Sequence, residues 1–224
     1  MSIRRCAAPR HGHRASRWPY RESFIRDVHR LVATGYAGLA TSTLSAKEET
    51  AITGLLVEEM REAIEGSKRL PWASRYTVHD DRPISTATTE GRDRARIDIE
   101  IERTMPGRHP RFQFEAKRLY RSDSVAEYVG NEGLGAFLDN TYSSSSSAAG
   151  MLGYVQNSAE KTWAGKIEAK LDVDRAQHEI AIGAASVWEL VSLFGGAAGA
   201  LSYHSTHARS PMSIDVFHTF LRCF

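Results

Sequence analysis

The chain has 224 residues, of which 42% are hydrophobic and 25% charged, with a net charge of +2. A chain of that length and composition can bury a full core, which excludes the disordered and fibrous classes and makes one domain the default. A net charge of +2 is too small to establish a polyanion partner, but its distribution says more. Residues 1–30 carry eight Arg against Glu22 and Asp27, a local +6 that leaves about −4 for the rest.

Residues 1–20 have no periodicity and many Arg, Pro and Gly, so a flexible basic arm is expected ahead of a single domain over residues 21–224. The arm either contacts nucleic acid or is an inert tail. It lacks the apolar run of a secretory signal. Cys6 and Cys223 sit at opposite ends and form neither a metal spacing nor a disulfide framework, which makes a cytoplasmic setting the expectation. From Tyr20 to Leu39 the spacing of Phe24, Val28 and Leu31 predicts a short helix. Ser45-Ala-Lys-Glu48 fits a capping box, and Ile52, Leu55, Leu56, Met60 and Ala63 carry a helical period to about Glu65. Glu58, Glu62 and Glu65 fall on its polar side. Glu48, Glu49 and Glu59 fall on or beside the apolar stripe, where a carboxylate needs a metal, a basic group or a hydrogen-bond donor.

Residues 66–92 are polar and turn-rich, with one strand near Tyr76–Val78. Residues 96–103 and 112–120 both alternate apolar and polar side chains and predict two strands joined by the turn-forming Thr104–Pro110 loop. Asp123 is a candidate helix start, with Val125, Tyr128, Val129, Leu134 and Phe137 as the apolar side and a break near Gly130 and Gly133. Ser143–Ser147 reads as a loop and the start of a buried helix over Ala148–Gln156. Trp163, Ile167 and Leu171 predict another helix. The apolar stretch Ile180–Tyr203, interrupted by Glu189 and several glycines, reads as core and not as a membrane span. Ala200–His207 and Ser213–Arg222 read as strands.

The chemistry concentrates on Asp98 and on Glu115-Ala-Lys117. Glu115 and Lys117 are two apart on a predicted strand and share a face. Glu168-Ala-Lys170 is the same tripeptide in helical register, where its two charges diverge. Two carboxylates and a lysine at one sheet edge would form a divalent-metal site beside a proton-handling or charge-stabilising group, which phosphodiester hydrolysis needs. The plainer alternative is an exposed face of cross-strand ion pairs. Glu100 and Glu102 share the face of Asp98 and read as solvated surface charges. His204 and His207 fall on opposite strand faces, so with His218 they form no zinc site. Trp163, Trp188 and Phe194 read as core. The serine run lacks a nucleophile elbow.

The order helix-Glu, strand-Asp, strand-Glu-x-Lys resembles the PD-(D/E)XK nuclease superfamily, the restriction-endonuclease-like fold, over residues 45–120. The later stretches around Tyr128–Tyr154, Ser202–Ser205 and His218–Leu221 are similar to bacterial members. Ile97 stands where the family often has Pro. The resemblance implies an α/β fold with a mixed central sheet flanked by helices, and a Mg²⁺-dependent deoxyribonuclease of restriction or anti-phage defence. Asp98, Glu115 and Lys117 would be catalytic. Glu49, Asp98, Glu115 and the Ala116 carbonyl would hold Mg²⁺, with Mn²⁺ able to substitute, and Glu48 and Glu59 are rivals to Glu49. Arg94, Arg96, Arg118 and Arg121 would meet the DNA backbone. DNA is the implied partner, RNA the alternative nucleic acid, and a homodimer or other defence subunits the implied protein partners, with no membrane. The rival function is a non-cutting nucleic-acid-binding or assembly subunit that keeps the fold.

Overall fold

The structure is a computed structural model that describes residues 18–67, 69–84, 94–105, 109–181, 186–194 and 198–224. Its strands are β1 (Tyr76–Pro83), β2 (Arg96–Arg103), β3 (Arg111–Leu119), β4 (Ala148–Val155), β5 (Glu189–Val191), β6 (Ala200–His207) and β7 (Ile214–Arg222). They form one seven-stranded mixed sheet in the order β1-β2-β3-β4-β7-β6-β5. The pairs β3–β4 and β4–β7 are parallel and the other neighbours antiparallel. The helices are α1 (Trp18–Gly38), α2 (Glu49–Ile64), α3 (Ser124–Val129), α4 (Leu134–Leu138) and α5 (Glu160–Val173).

The sheet is covered on both faces, as a partly parallel sheet must be. On one face α1 and α2 bury Val28, Leu31, Ile52, Leu56 and Met60 against Ile99, Phe112, Phe114, Leu152 and Tyr154. On the other, Tyr128 and Phe137 with Trp163, Ile167 and Leu171 of α5 close over Met151, Val155, Val216 and Phe220. Each large side chain buried this way contributes on the order of 1.5–3 kcal/mol. No helix among the described residues is long and apolar enough to cross a membrane.

Three expectations are corrected. Ala148–Val155 is the central strand, not a helix, and every one of its residues is buried. A strand covered on both faces reads as an unbroken apolar run, so its period of two is hidden. Gly150 marks the strand: a Cβ there would lie 2.2 Å from a ring carbon of Phe114 on β3. Second, Ser143–Ser147 starts no helix. The buried guanidinium of Arg209 donates to the carbonyls of Phe137, Ser143 and Ser146 and holds the segment as a loop. Third, α2 starts at Glu49, four residues beyond Ser45, and its N-terminus has no side-chain cap. Ahead of α2, α1 begins at Trp18, so the expected arm of residues 1–20 includes its first residues. Residues 1–17 lie outside the described ones.

One irregularity positions the site. β2 pairs with β1 as far as Arg96, but with β3 only between Ile99 and Glu102. From Asp98 back to Arg96, β2 follows β1 and has left β3. The N–H groups of β3 on that side lose their ladder partners, and buried amides left so must find others.

Candidate active site

The two orphaned amides are capped by carboxylates. The Ala116 N–H donates to Asp98 Oδ2 at 2.7 Å. Two residues on, the Arg118 N–H donates to Glu49 Oε2 at 2.8 Å. A strand residue's N–H and C=O leave the backbone on the same edge, so the Ala116 carbonyl also faces the gap. Glu49 arrives there because it opens α2, whose Thr53 hydroxyl is tied to the Tyr154 hydroxyl at 2.9 Å.

Lys117 joins the set. Its Nζ lies 2.7 Å from Glu115 Oε1 and 3.4 Å from Glu49 Oε1. Glu115 is only 5% exposed, and its second oxygen, Oε2, accepts from no donor; when protonated, Glu115 shares a hydrogen bond with Asp98. Glu49 and Lys117 open onto a cleft of about 600 Å³ lined also by Ala126, Glu127, Gly130, Asn131 and Glu132. A second cavity, of about 530 Å³, lies between the serine loop and the β2–β3 hairpin and contains none of these residues. The chemistry therefore belongs to the first.

The electrostatics follow from count and burial. Three carboxylates face one ammonium, an excess of negative charge in a dry place. Burial, then the Asp98 carboxylate, push Glu115 up to about 8 against the pull of Lys117. Burial also raises Asp98 and Glu49 above the usual carboxylate range, opposed in Asp98 by the Ala116 N–H and in Glu49 by Lys117. Burial works against the Lys117 charge, but Glu115 and Glu49 outweigh it and hold the ammonium above its ordinary value. The Glu115 and Lys117 directions conflict if each is taken as a closed ion pair. They agree once Asp98 and Glu49 are counted: Lys117 stays charged, and the proton that relieves the remaining excess sits on Glu115. A divalent cation would relieve the same excess, and hard oxygen donors suit Mg²⁺ or Mn²⁺. The donor set fits such an ion in charge and in chemistry. As placed, the carboxylates are spread around the ammonium, and no three His, Cys, Asp or Glu side chains among the described residues are grouped as a finished metal cage.

The rival glutamates lie elsewhere. Glu48 is exposed and pairs with Arg118 at 2.7 Å. Glu59 lies against Gly38 at the end of α1. Glu100 corrects an expectation: it is 2% exposed and not a solvated charge. Arg82 and Gln113 both donate to it, which makes a buried carboxylate tolerable. Glu102 is partly buried between Arg111 and Arg82. Of the four arginines, Arg94 precedes β2. Arg96 pairs with Asp81, Arg118 with Glu48, and Arg121 with Asp123 and Glu127. Arg118 and Arg121 also lie over the Tyr120 ring, at 4.5 and 5.2 Å from its centre. The second Glu-x-Lys falls on α5, where Lys170 pairs with Asp174.

The histidines form a separate buried chain. His207 Nδ1 faces the His178 carbonyl, which only accepts, so Nδ1 carries the proton and Nε2 accepts. Ser205 then donates to His207 Nε2 at 2.7 Å and accepts from His218 Nε2 at 2.8 Å. That leaves His218 Nδ1 to accept from Tyr128 at 3.1 Å. Each of these contacts is satisfied with both rings neutral. His204 points the other way, toward Asp215.

Gln156 and Tyr120 are neighbours of the site that sequence reasoning missed. Had residues 148–155 been read as a central strand, Gln156 would have stood just past its C-terminal end, where sites gather in α/β sheets. Comparison with known proteins finds no matching family model, no similar curated protein and no similar solved structure.

Proposed function

We propose that this protein is a metal-dependent nuclease that hydrolyses DNA phosphodiester bonds, built on a restriction-endonuclease-like core. The observation that carries the proposal is Glu115: a buried carboxyl whose Oε2 accepts from no donor, in a cluster with Asp98, Lys117 and Glu49 that carries unbalanced negative charge beside the cleft. Polar groups left so are costly, and such costs collect at functional sites. The arrival of a helix Glu, a strand Asp and a strand Glu-x-Lys in one cluster, with Glu49 and Lys117 opening onto the cleft, supports the fold class and the site together.

Glu49, Asp98, Glu115 and the Ala116 carbonyl would hold Mg²⁺ or Mn²⁺. When bound, the ion supplies a polarised phosphoryl oxygen and a water of lowered pKa. Lys117 is held charged, so its part is to donate to negative charge developing on the phosphate, not to abstract a proton. Asp98 and Glu49 keep their places through the β3 amides they cap. Arg96 and Arg121 are latched by carboxylates at the surface, and partly buried Arg118 by the exposed Glu48, where exchange of one anion for another costs little, so phosphates can take them over. A role in restriction or defence against foreign DNA rests on the family resemblance alone.

A second reading has its own observation. Asp98 and Glu49 each satisfy a β3 amide, and Lys117 is bonded to two glutamates. The cluster could thus be a staple for the splayed strands in a non-cutting subunit. Incubation with supercoiled plasmid, linear duplex and single-stranded DNA, each with Mg²⁺, Mn²⁺ or EDTA, separates the readings. Metal-dependent cutting that disappears in Lys117→Ala is expected. Cutting that survives the substitution, or no cutting with any metal, overturns the nuclease proposal.

A further inference from the structure

We infer that Gln156 is a positioning residue that sets Glu49 over β3; its functional meaning rests on the nuclease reading above. Helix α2 has no side-chain cap, so its own first turn does not fix where it starts. The placement comes from the preceding turn, closed by the Lys47 N–H on the Leu44 carbonyl at 3.0 Å. Gln156 Nε2 spans that turn, donating to the Leu44 carbonyl at 2.8 Å and the Lys47 carbonyl at 2.7 Å. An amide nitrogen has two N–H groups, and both are used.

The same residue is fastened to the catalytic strand. Its backbone N–H donates to the Leu119 carbonyl at the end of β3, at 3.1 Å. Gln156 is buried, and Arg118 Nη1 adds a longer contact to the Lys47 carbonyl at 3.4 Å. One residue, through its backbone N–H and its side-chain amide, therefore joins the ends of β3 and β4 to the turn that feeds α2. Two residues after Lys47, Glu49 reaches the Arg118 N–H and Lys117. Gln156 itself bonds none of Glu49, Asp98, Glu115 or Lys117 and acts through Glu49.

The Arg118 amide is a built-in reporter, because Glu49 caps it while Asp98 caps the neighbouring Ala116 amide. Amide hydrogen exchange followed by NMR is measured on wild type, Gln156→Leu, Glu49→Ala and the double variant. Gln156→Asn, too short to span the turn, serves if the leucine variant does not fold. Exchange at Arg118 is expected to rise about tenfold or more in each single variant, with no further rise in the double, while Ala116 keeps its protection. The Mg²⁺ concentration for half-maximal thermal stabilisation is expected to rise by a similar factor in both single variants. Unchanged protection at Arg118, or equal loss at Arg118 and Ala116, overturns the inference. A wild type that Mg²⁺ does not stabilise sinks the metal-site reading but leaves the exchange result to decide the positioning claim.

Discussion

Two buried polar clusters on the sheet, among the described residues, are built on opposite terms. Between β6, β7 and α3, Tyr128, His218, Ser205 and His207 form a one-way chain in which each donor meets an acceptor and both rings are neutral. Between β2, β3 and α2, the carboxylates of Glu49, Asp98 and Glu115 outnumber the one ammonium of Lys117, and Glu115 Oε2 accepts from no donor. A closed, neutral network specifies packing and needs nothing further. A crowded, charged one beside a cleft carries a cost that a proton on Glu115 lowers and a bound cation would relieve. Both clusters contain residues that catalysis uses elsewhere, and satisfaction, not residue type, tells them apart.

The largest expected contrast is in activity. Lys117→Ala should lower metal-dependent DNA cutting by about 10²–10⁴-fold, whereas Ser205→Ala should leave the rate per folded molecule unchanged. In stability the order reverses. Ser205→Ala strands the His218 N–H and the His207 acceptor, and should cost roughly 2–5 kcal/mol in denaturant unfolding. Asp98 can be dissected more finely. Asp98→Ala leaves the Ala116 N–H without its acceptor and should cost about 1–3 kcal/mol. Asp98→Asn keeps an acceptor and removes a repelling charge, so the apo protein should be as stable as wild type or more so, by up to about 1 kcal/mol, while losing stabilisation by Mg²⁺. A large loss in Asp98→Asn would make the cluster a structural staple.

The smallest effect is the pH slope, and its sign differs between the clusters. Glu115 titrates at about 8 when folded against an ordinary 4.5. Between those values the folded state binds more protons, so this group's contribution to apo stability falls as pH rises. His207 titrates at about 4 when folded against 6.5, because burial disfavours its charge. Between those values the unfolded chain binds more protons, so its contribution rises with pH. His29, also lowered to about 4 by burial, and His218, lowered well below its ordinary value, act in the same direction. Thermal melts from pH 4 to 9 should therefore show Glu115→Gln flattening the decline above pH 6.5, and His207→Gln weakening the rise below it.

Legibility in the sequence follows how each residue meets solvent. Half-buried elements announced themselves: the alternation of residues 96–103 and 112–120, and the four-residue steps of Trp163, Ile167 and Leu171, match β2, β3 and α5. The fully covered β4 did not, since burial on both faces erases its period, and with it went Gln156. The capping-box pattern at Ser45 misled because the turn before α2 is fastened from outside by Gln156, a contact 112 residues away in sequence. At the site, the shared face of Glu115 and Lys117 was readable from strand spacing. That Asp98 and Glu49 cap β3 amides was not, because it depends on β2 leaving β3, which no local pattern encodes.

The most direct test of the central claim, that the charge excess at Glu115 awaits a divalent cation, is calorimetric titration of the apo protein with Mg²⁺ and Mn²⁺ near pH 7. It is run in buffers of different ionisation enthalpy, so that protons released on binding are counted. The account predicts saturable binding with release of up to about one proton, and loss of that release in Glu115→Gln. Absence of binding, or binding and proton release that are the same in Glu115→Gln, would contradict it.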